Sequence, residues 1–403
     1  MMQPEVFSDP RRNGAPPDLD AQPARLAVTR LVLTHFRSYA HGELALDGRP
    51  VVLAGPNGAG KTNLLDAISL LSPGRGLRGA KLGEHTRKGP AVPGEALWGV
   101  AATVSRGEEG FDIGTGLVIG PNGGERRQVR LNGAPAQGSA DLGEIIQMAW
   151  LTPAMDRLFI EGASGRRKFL DRLVLGFDPA HARRAARYEQ AMRERARLLR
   201  YGPRDPAWLD GLESEMAESG AALAVARAAA VARLNRALAE RGEAGSFPAA
   251  LLALDGEADG VVAEEGENAV VALKIRFERA RLRDAEAGRT NFGPHLSDLA
   301  VRHTAKRADA RECSTGEQKA LLISMVLAQA RELSREKDAP APILLLDEIA
   351  AHLDHIRRAA LFEEILELGA QAWMTGTDLT LFEALGARAQ TFLVTNGEFI
   401  RQD

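Results

Sequence analysis

The sequence predicts an α/β fold in which a buried parallel sheet is joined by an antiparallel β-subsheet and interrupted by an inserted helical second lobe. Three observations carry this. Val51-Val52-Leu53-Ala54 has no polar alternation, as suits a strand buried on both faces, and it feeds a glycine turn and the helical spacing of Asn63 to Leu71. Ile343 to Leu346 and Ala372 to Thr375 repeat the buried-strand pattern towards the C-terminus. Between these blocks, Gly162 to Leu238 is almost entirely helical in pattern.

Composition bounds the reading. With 403 residues, 45% of them hydrophobic and 26% charged, the chain can bury a large core, and its length favours two domains or one domain with an insertion. A net charge of −3 gives no whole-chain attraction to nucleic acid, so any DNA contact requires a local basic cluster. The single cysteine, Cys313, excludes an internal disulfide framework and reads as a small buried side chain in a reducing compartment. No apolar run approaches the ~20 residues of a membrane span, and the N-terminus lacks a signal-type apolar region. A cytoplasmic protein is expected.

Taken in order, residues 1–26 carry prolines and scattered charges and are expected to form a disordered tail. Strand patterns follow at Val28 to Leu33 and Glu43 to Leu46. Phe36-Arg37-Ser38-Tyr39 lies between them. Arg37 has two readings, a surface charge or a guanidinium fork near phosphates.

The stretch Gly55-Pro56-Asn57-Gly58-Ala59-Gly60-Lys61-Thr62 has the GxxxxGKT spacing of a phosphate loop. Its glycines let successive N–H groups approach a polyphosphate with no Cβ in the way. Lys61 would reach the β- and γ-phosphates, Thr62 would give a hydroxyl to Mg²⁺, and the helix behind them adds its positive dipole end. Ser72 to Pro93 is glycine-rich and carries Arg75, Arg78, Lys81, Arg87 and Lys88 with Glu84 as its one acid, so it is either a solvated loop or a DNA contact. Trp98 to Val104, Phe111 to Ile119 and Gln128 to Leu131 read as the antiparallel subsheet.

From Gly162 to Arg204 twelve Arg or Lys face four acids, a local net charge of +8. Segregated charge of this kind is the footprint of phosphate-backbone binding, with Arg166, Arg167, Arg183, Arg184 and Arg187 as candidate DNA contacts; a solvated helix face is the other reading. Trp208 to Leu238 continues as a helix whose apolar stripe suits a paired helical arm. Glycines and acids between Glu240 and Asn268 interrupt the helices, and Val270 to Arg283 restores one. His295, in the turn Asn291 to His295, reads as a hydrogen-bonded structural histidine.

Ser314-Thr315-Gly316-Glu317-Gln318-Lys319 precedes a helical run from Ala320 to Leu333, so Ser314 is a cap whose neighbouring N–H groups favour an anion. The Ile343 strand ends in Asp347-Glu348. Acids at that end of a strand lie where open α/β sheets bind ligands, with Asp347 placed for Mg²⁺ and Glu348 for an attacking water. Thr377, after the Ala372 strand, is either a γ-phosphate sensor or an ordinary turn hydroxyl.

The order of these motifs resembles ABC-type ATPase heads of the SMC kind, and within them the RecF family. The residues that carry the resemblance are FRSY at 36–39, GPNGAGKTNLLDAI at 55–68, RRKFLD at 166–171, GPH at 293–295, STGEQKALL at 314–322 and LLLDEIAAHLD at 344–354. The family's more usual GPHRDDL is not matched, since Leu296 and Ser297 follow His295. The resemblance implies ATP and Mg²⁺ as cofactors, and an ATPase lobe I formed by residues 27–161 and 291–403 around a helical lobe II at 162–290. It further implies an ATP-dependent homodimer in which Lys61 and Thr62 of one chain face Ser314 and Gly316 of the other, with Glu348 and Lys61 catalytic in a weak DNA-dependent ATPase. Binding to single-/double-strand DNA junctions and help to RecA loading with RecO and RecR belong to the same implication. An ABC ATPase subunit of a transporter or translation machine is the alternative.

Overall fold

The computed structural model describes residues 25–88, 97–119, 124–202, 206–241, 246–335, 339–395 and 397–402. The expected tail lies outside them up to residue 24. The first strand, β1 (Leu26–Phe36), pairs antiparallel with β2 (Tyr39–Ala45). β3 (Val51–Ala54) leads into α1 (Lys61–Ser69). β4 (Trp98–Arg106), β5 (Glu109–Ile119), β6 (Glu125–Leu131) and the short β7 (Ala134–Pro135) then complete an antiparallel sheet of order β2-β1-β4-β5-β6-β7. Along β4 the side chains of Trp98, Val100, Ala102 and Val104 alternate inward, the period-2 pattern of a sheet with one covered face.

β8 (Met148–Leu151) precedes three helices, α2 (Ala163–Phe177), α3 (His181–Tyr201) and α4 (Pro206–Arg241). Next come β9 (Ala250–Asp255), α5 (Glu257–Glu265), α6 (Ala269–Arg279), α7 (Arg281–Ala287), β10 (Asp298–His303) and β11 (Ala308–Asp309). The chain closes through α8 (Thr315–Ser334), β12 (Ile343–Leu346), α9 (His355–Glu367), β13 (Ala372–Gly376), β14 (Gln390–Thr395) and β15 (Glu398–Arg401). Asn396, between β14 and β15, lies outside the described residues.

A second sheet has the order β15-β14-β3-β13-β12-β8 and is parallel except for β15. Its strands are apolar on both faces because both are covered. Val51, Leu53, Ile343, Leu345, Trp373 and Val394 enter a core shared with α1 and the antiparallel sheet. Val52, Leu344, Leu346, Ala372 and Met374, one residue out of step, enter a core shared with α2, α8 and α9. The sheet is therefore held rigidly on both sides, and its C-terminal edge carries the loops considered below.

Two expectations change. The region 240–268 is not simply a break: β9 pairs antiparallel with β10, and β10 with β11, in a third, three-stranded sheet. β9 escapes notice because its outward positions, Leu251 and Ala253, are themselves apolar and hide the period-2 pattern. The helix expected from Val270 to Arg283 is broken at Ala280 into α6 and α7. Arg195 on α3 is fully buried there: its guanidinium donates to Glu213, Asp284 and the carbonyl of Phe277, each at 2.8 Å. That arginine locks α3 to α4, α6 and α7, and so leaves the segregated positive charge smaller than the sequence count implies.

Leu345 lies at the centre of the shared core and is completely buried, whereas Val225 on α4 is 56% exposed. Leu345→Ala is expected to lower stability by about 2–5 kcal/mol, and Val225→Ala to change it by less than about 0.5 kcal/mol. Urea unfolding of both variants checks this; equal effects would contradict the assigned core.

Candidate nucleotide site

The loop between β3 and α1 is shaped by what lies against it. Gly55 has φ of +150°, and a Cβ there would stand 2.3 Å from the carbonyl oxygen of Val394, so no other residue fits without displacing β14. Gly60 has φ of +111° and is met from the other side by Tyr39, whose hydroxyl donates to the Gly60 carbonyl at 3.0 Å. Burial holds the Tyr39 hydroxyl firmly protonated and so able to donate. The sequence reading of Phe36 to Tyr39 considered Arg37 and missed this buttress.

Lys61 is buried, and its Nζ donates to the carbonyls of Gly55 and Pro56 at 2.6 and 2.9 Å. Its desolvation lowers the ammonium's pKa, opposed by the nearby Glu348 and Asp347. With Asn57, Gly58, Gly60, Thr62, Asn63, Arg78 and Glu348 it lines a cleft of about 170 Å³. Pro56 stands on the exposed rim of the loop, while Ala59 is turned into the core. The sequence reads Arg78 with its basic loop, as solvated or as a DNA contact; here it is anchored through its backbone N–H to Asp66 at 3.3 Å and its Nη2 to Asn63 at 3.2 Å.

Across the cleft stand the two acids. Asp347 follows β12 and is 3% exposed; the Thr62 hydroxyl sits 3.0 Å from both of its carboxylate oxygens. The Thr375 hydroxyl, at the end of β13, donates to Asp347 Oδ1 at 2.7 Å and accepts the backbone N–H of Glu348 at 2.8 Å. Burial raises the Asp347 pKa, the Thr375 and Thr62 hydroxyls oppose that rise, and neighbouring Glu348 adds to it. Glu348 has φ of +51°, a left-handed conformation rare outside glycine, and this strained turn brings it to the cleft wall. Thr377 is exposed and is not among the cleft's lining residues; the hydroxyl that organises the acids is Thr375's, two residues earlier.

Thr62 and Asp347 offer hard oxygen donors side by side, the donor set suited to Mg²⁺. Arg37 occupies an adjoining cleft with Ser38 and Asn63, and Asn63 lines both. Its Nε donates to the fully buried Asp66 of α1 at 2.7 Å, so its fork is tied to the helix behind the loop.

Ser314 and Gly316 are found elsewhere. They form the exposed N-terminal end of α8, where Ser314 and Glu317 close a capping box: Ser314 N and Oγ donate to Glu317 Oε2 at 3.0 and 2.9 Å. Lys306, chiefly, and then Ser314 hold the Glu317 carboxyl down at about 2. Nothing comes within 4 Å of a Cβ built at Gly316, so this helix end is open to an incoming group. Neither residue lines the cleft at Lys61.

The five candidate DNA contacts separate. Arg166 grips Asp298 with Nε and Nη2, both at 2.7 Å, and Arg167 donates to the Ser297 carbonyl at 2.7 Å. These two brace α2 against β10, which corrects their reading as open phosphate contacts: bidentate pairing already fills the Arg166 fork. Arg184 pairs with Asp178 and Arg187 with Glu215, both at the surface. Arg183 is exposed and makes no ion pair with another described residue. His295 uses both ring nitrogens, one with the Tyr188 hydroxyl at 2.8 Å and one with the Thr290 carbonyl at 3.0 Å, as a structural histidine would. No helix among the described residues is long and apolar enough to cross a membrane.

Comparison with known proteins matches this arrangement to one family. The RecF/RecN/SMC N terminal domain profile matches residues 27–398. The DNA replication and repair protein RecF of Rhizobium etli (strain CIAT 652) is 50% identical over 376 residues, covering 93% of this chain and 99% of that protein. The protein of the same name from Rhizobium meliloti (strain 1021) is 50% identical over 379 residues, with 93% and 99% covered. Among solved structures, the recombination mediator protein RecF-ATPrS in the RecFOR pathway superposes with a TM-score of 0.79 at 22% identity, over 94% of this chain and 99% of that one. The SMC head bound to the C-winged helix domain of ScpA gives a TM-score of 0.51 at 16% identity, over 93% and 97%. These two likenesses speak for the fold; the family rests on the sequence matches. The chain belongs to the RecF family, within the SMC-like ABC ATPases.

Proposed function

We propose that this chain is an ATP-gated DNA-binding protein of recombinational repair and replication, in which two copies close around ATP and hydrolysis lets them part. The observation that carries the reading is the division of the site. One chain builds the phosphate cradle and the acids at the C-terminal edge of its parallel sheet, while its signature helix presents Ser314 and Gly316 on an open surface away from that cradle. A γ-phosphate held by Lys61 of one chain would be completed by the α8 N-terminus of a second, through charge-assisted hydrogen bonds and the helix dipole.

Thr62 and Asp347 would hold Mg²⁺, which when bound neutralises phosphate charge. Thr375 holds Asp347 and the Glu348 backbone in register, so Glu348 is positioned to take a proton from a water attacking the γ-phosphorus as ADP leaves. Loss of the γ-phosphate removes the group that joins the two chains. Weak, DNA-stimulated hydrolysis suits a switch of this kind. The RecFOR pathway in a neighbour's name supports a place beside RecO and RecR; preparing DNA for RecA at single-/double-strand junctions is part of this proposal. For the DNA surface, Arg183, Arg184 and Arg187 on α3 remain after Arg166 and Arg167 are assigned to bracing.

Glu348→Gln is expected to slow hydrolysis by about 100-fold or more while ATP-dependent dimers persist in light scattering. Thr375→Val should slow hydrolysis too, with nucleotide binding kept. Full hydrolysis in both variants would reject these roles. In a salt titration of duplex binding with ATP present, Arg183→Glu with Arg187→Glu should weaken binding regardless of sequence and lower the log–log salt slope by about 1–2. An unchanged slope would remove α3 from the DNA surface.

A further inference from the structure

The chain is poor in aromatics, with three Tyr and four Trp. Tyr39, Tyr188, Trp98, Trp150 and Trp373 are buried. The two that remain flank one end of the α3–α4 hairpin: Tyr201, the last residue of α3, is 76% exposed, and Trp208, in the first turn of α4, is 48% exposed. Beneath them Leu198, Leu199 and Leu209 pack with Leu212 and Ala285, so the exposed rings stand on an ordered base that ties both helix ends to α7. Large rings left in water forgo the burial that stabilises the rest of the chain's Tyr and Trp, and an exposed cluster of this kind marks a contact surface.

The charge around the rings selects the partner. The Arg200 guanidinium lies 5.0 Å from the Tyr201 ring centroid, and Arg197 is one helical turn before Tyr201. Arg283 is exposed on α7, which packs beside α3. None of these three arginines makes an ion pair with another described residue, whereas the nearby acids Asp210 and Glu213 are already paired with Arg281. Glu286 is the exposed acid left on α7. Among the described residues the tip therefore combines two exposed aromatic rings with a surplus of positive charge.

We propose that this tip binds single-stranded DNA, with unstacked bases on Tyr201 and Trp208 and phosphates on Arg197, Arg200 and Arg283. A base offers its π-face to a ring only when it is out of the duplex stack, so duplex DNA meets the arginines here but not the rings. A protein hot spot would also use Trp, Tyr and Arg, but the unpaired arginines favour a polyanion. The proposal rests on the DNA-binding reading above and adds the surface that takes the unstacked bases.

Trp208 is the one Trp left exposed, so its emission reports stacking directly. Titration of the full chain with a short oligothymidylate should quench tryptophan fluorescence, and Trp208→Phe should abolish that signal. In anisotropy with labelled oligothymidylate, Tyr201→Ala with Trp208→Ala should weaken binding by about tenfold or more, and Arg197→Glu with Arg200→Glu should do likewise. Duplex binding with ATP and ATP-dependent dimerisation should stay within about twofold of the parent in the aromatic variant, since duplex binding uses neither ring. Unchanged single-strand affinity, or no quenching, overturns the proposal, including the case where the tip variants lose a protein partner instead. A parent protein that binds duplex but no single strand also overturns it while leaving the DNA-binding reading intact; binding to neither rejects both.

Discussion

The buried carboxylate of Asp347 is the constraint on which the site depends. It follows β12, is reached from α1 by Thr62, and is met from β13 by Thr375, so two neighbouring strands of the sheet and the helix after the phosphate loop converge on a single charge. A carboxylate 3% exposed tolerates burial only because these hydroxyls satisfy it. The same Thr375 hydroxyl accepts the Glu348 N–H, so the strained turn that presents Glu348 is held by the contact that anchors Asp347. Disturb one and Thr62, Asp347 and Glu348 shift together.

Around this point the fold separates rigid from adjustable parts. The parallel sheet is packed on both faces, and Tyr39 and Val394 press the phosphate loop from two sides. The signature end of α8 has the opposite character: its own N-terminus is capped, yet Gly316 faces open space. In the proposed dimer, a preformed half-site on each chain would limit the reorganisation needed for two chains to meet over a nucleotide, and would leave the nucleotide's own charge to decide whether they do.

Much of this was legible in the sequence because it is local. GxxxxGKT, the apolar strand ending in two acids, and the Ser314 cap each announce themselves within about ten residues. What stayed hidden depends on partners distant in the chain. Thr375 and Thr377 look alike until the parallel register of β13 with β12 selects the first. Arg78 belongs to a glycine-rich loop and becomes a cleft residue only through Asp66 and Asn63. Arg166, Arg167 and Arg195 contributed to an apparent DNA-binding charge, but Asp298, Ser297 and Glu213 claim them from across the fold. β9 was missed because its solvent side is apolar, and the tip aromatics because exposure is not written in sequence.

The central claim is that a working site draws its two halves from different chains, and mixing two inactive variants tests it most directly. Lys61→Ala removes the cradle's cation and Ser314→Arg blocks the signature, so each homodimer has two broken sites. A mixed dimer should contain one site with Lys61 and Ser314 both intact, and ATP hydrolysis should reappear on mixing well above the sum of the separate samples. If hydrolysis in the mixture equals that sum at concentrations where dimers form, the site is complete within one chain and the account is wrong.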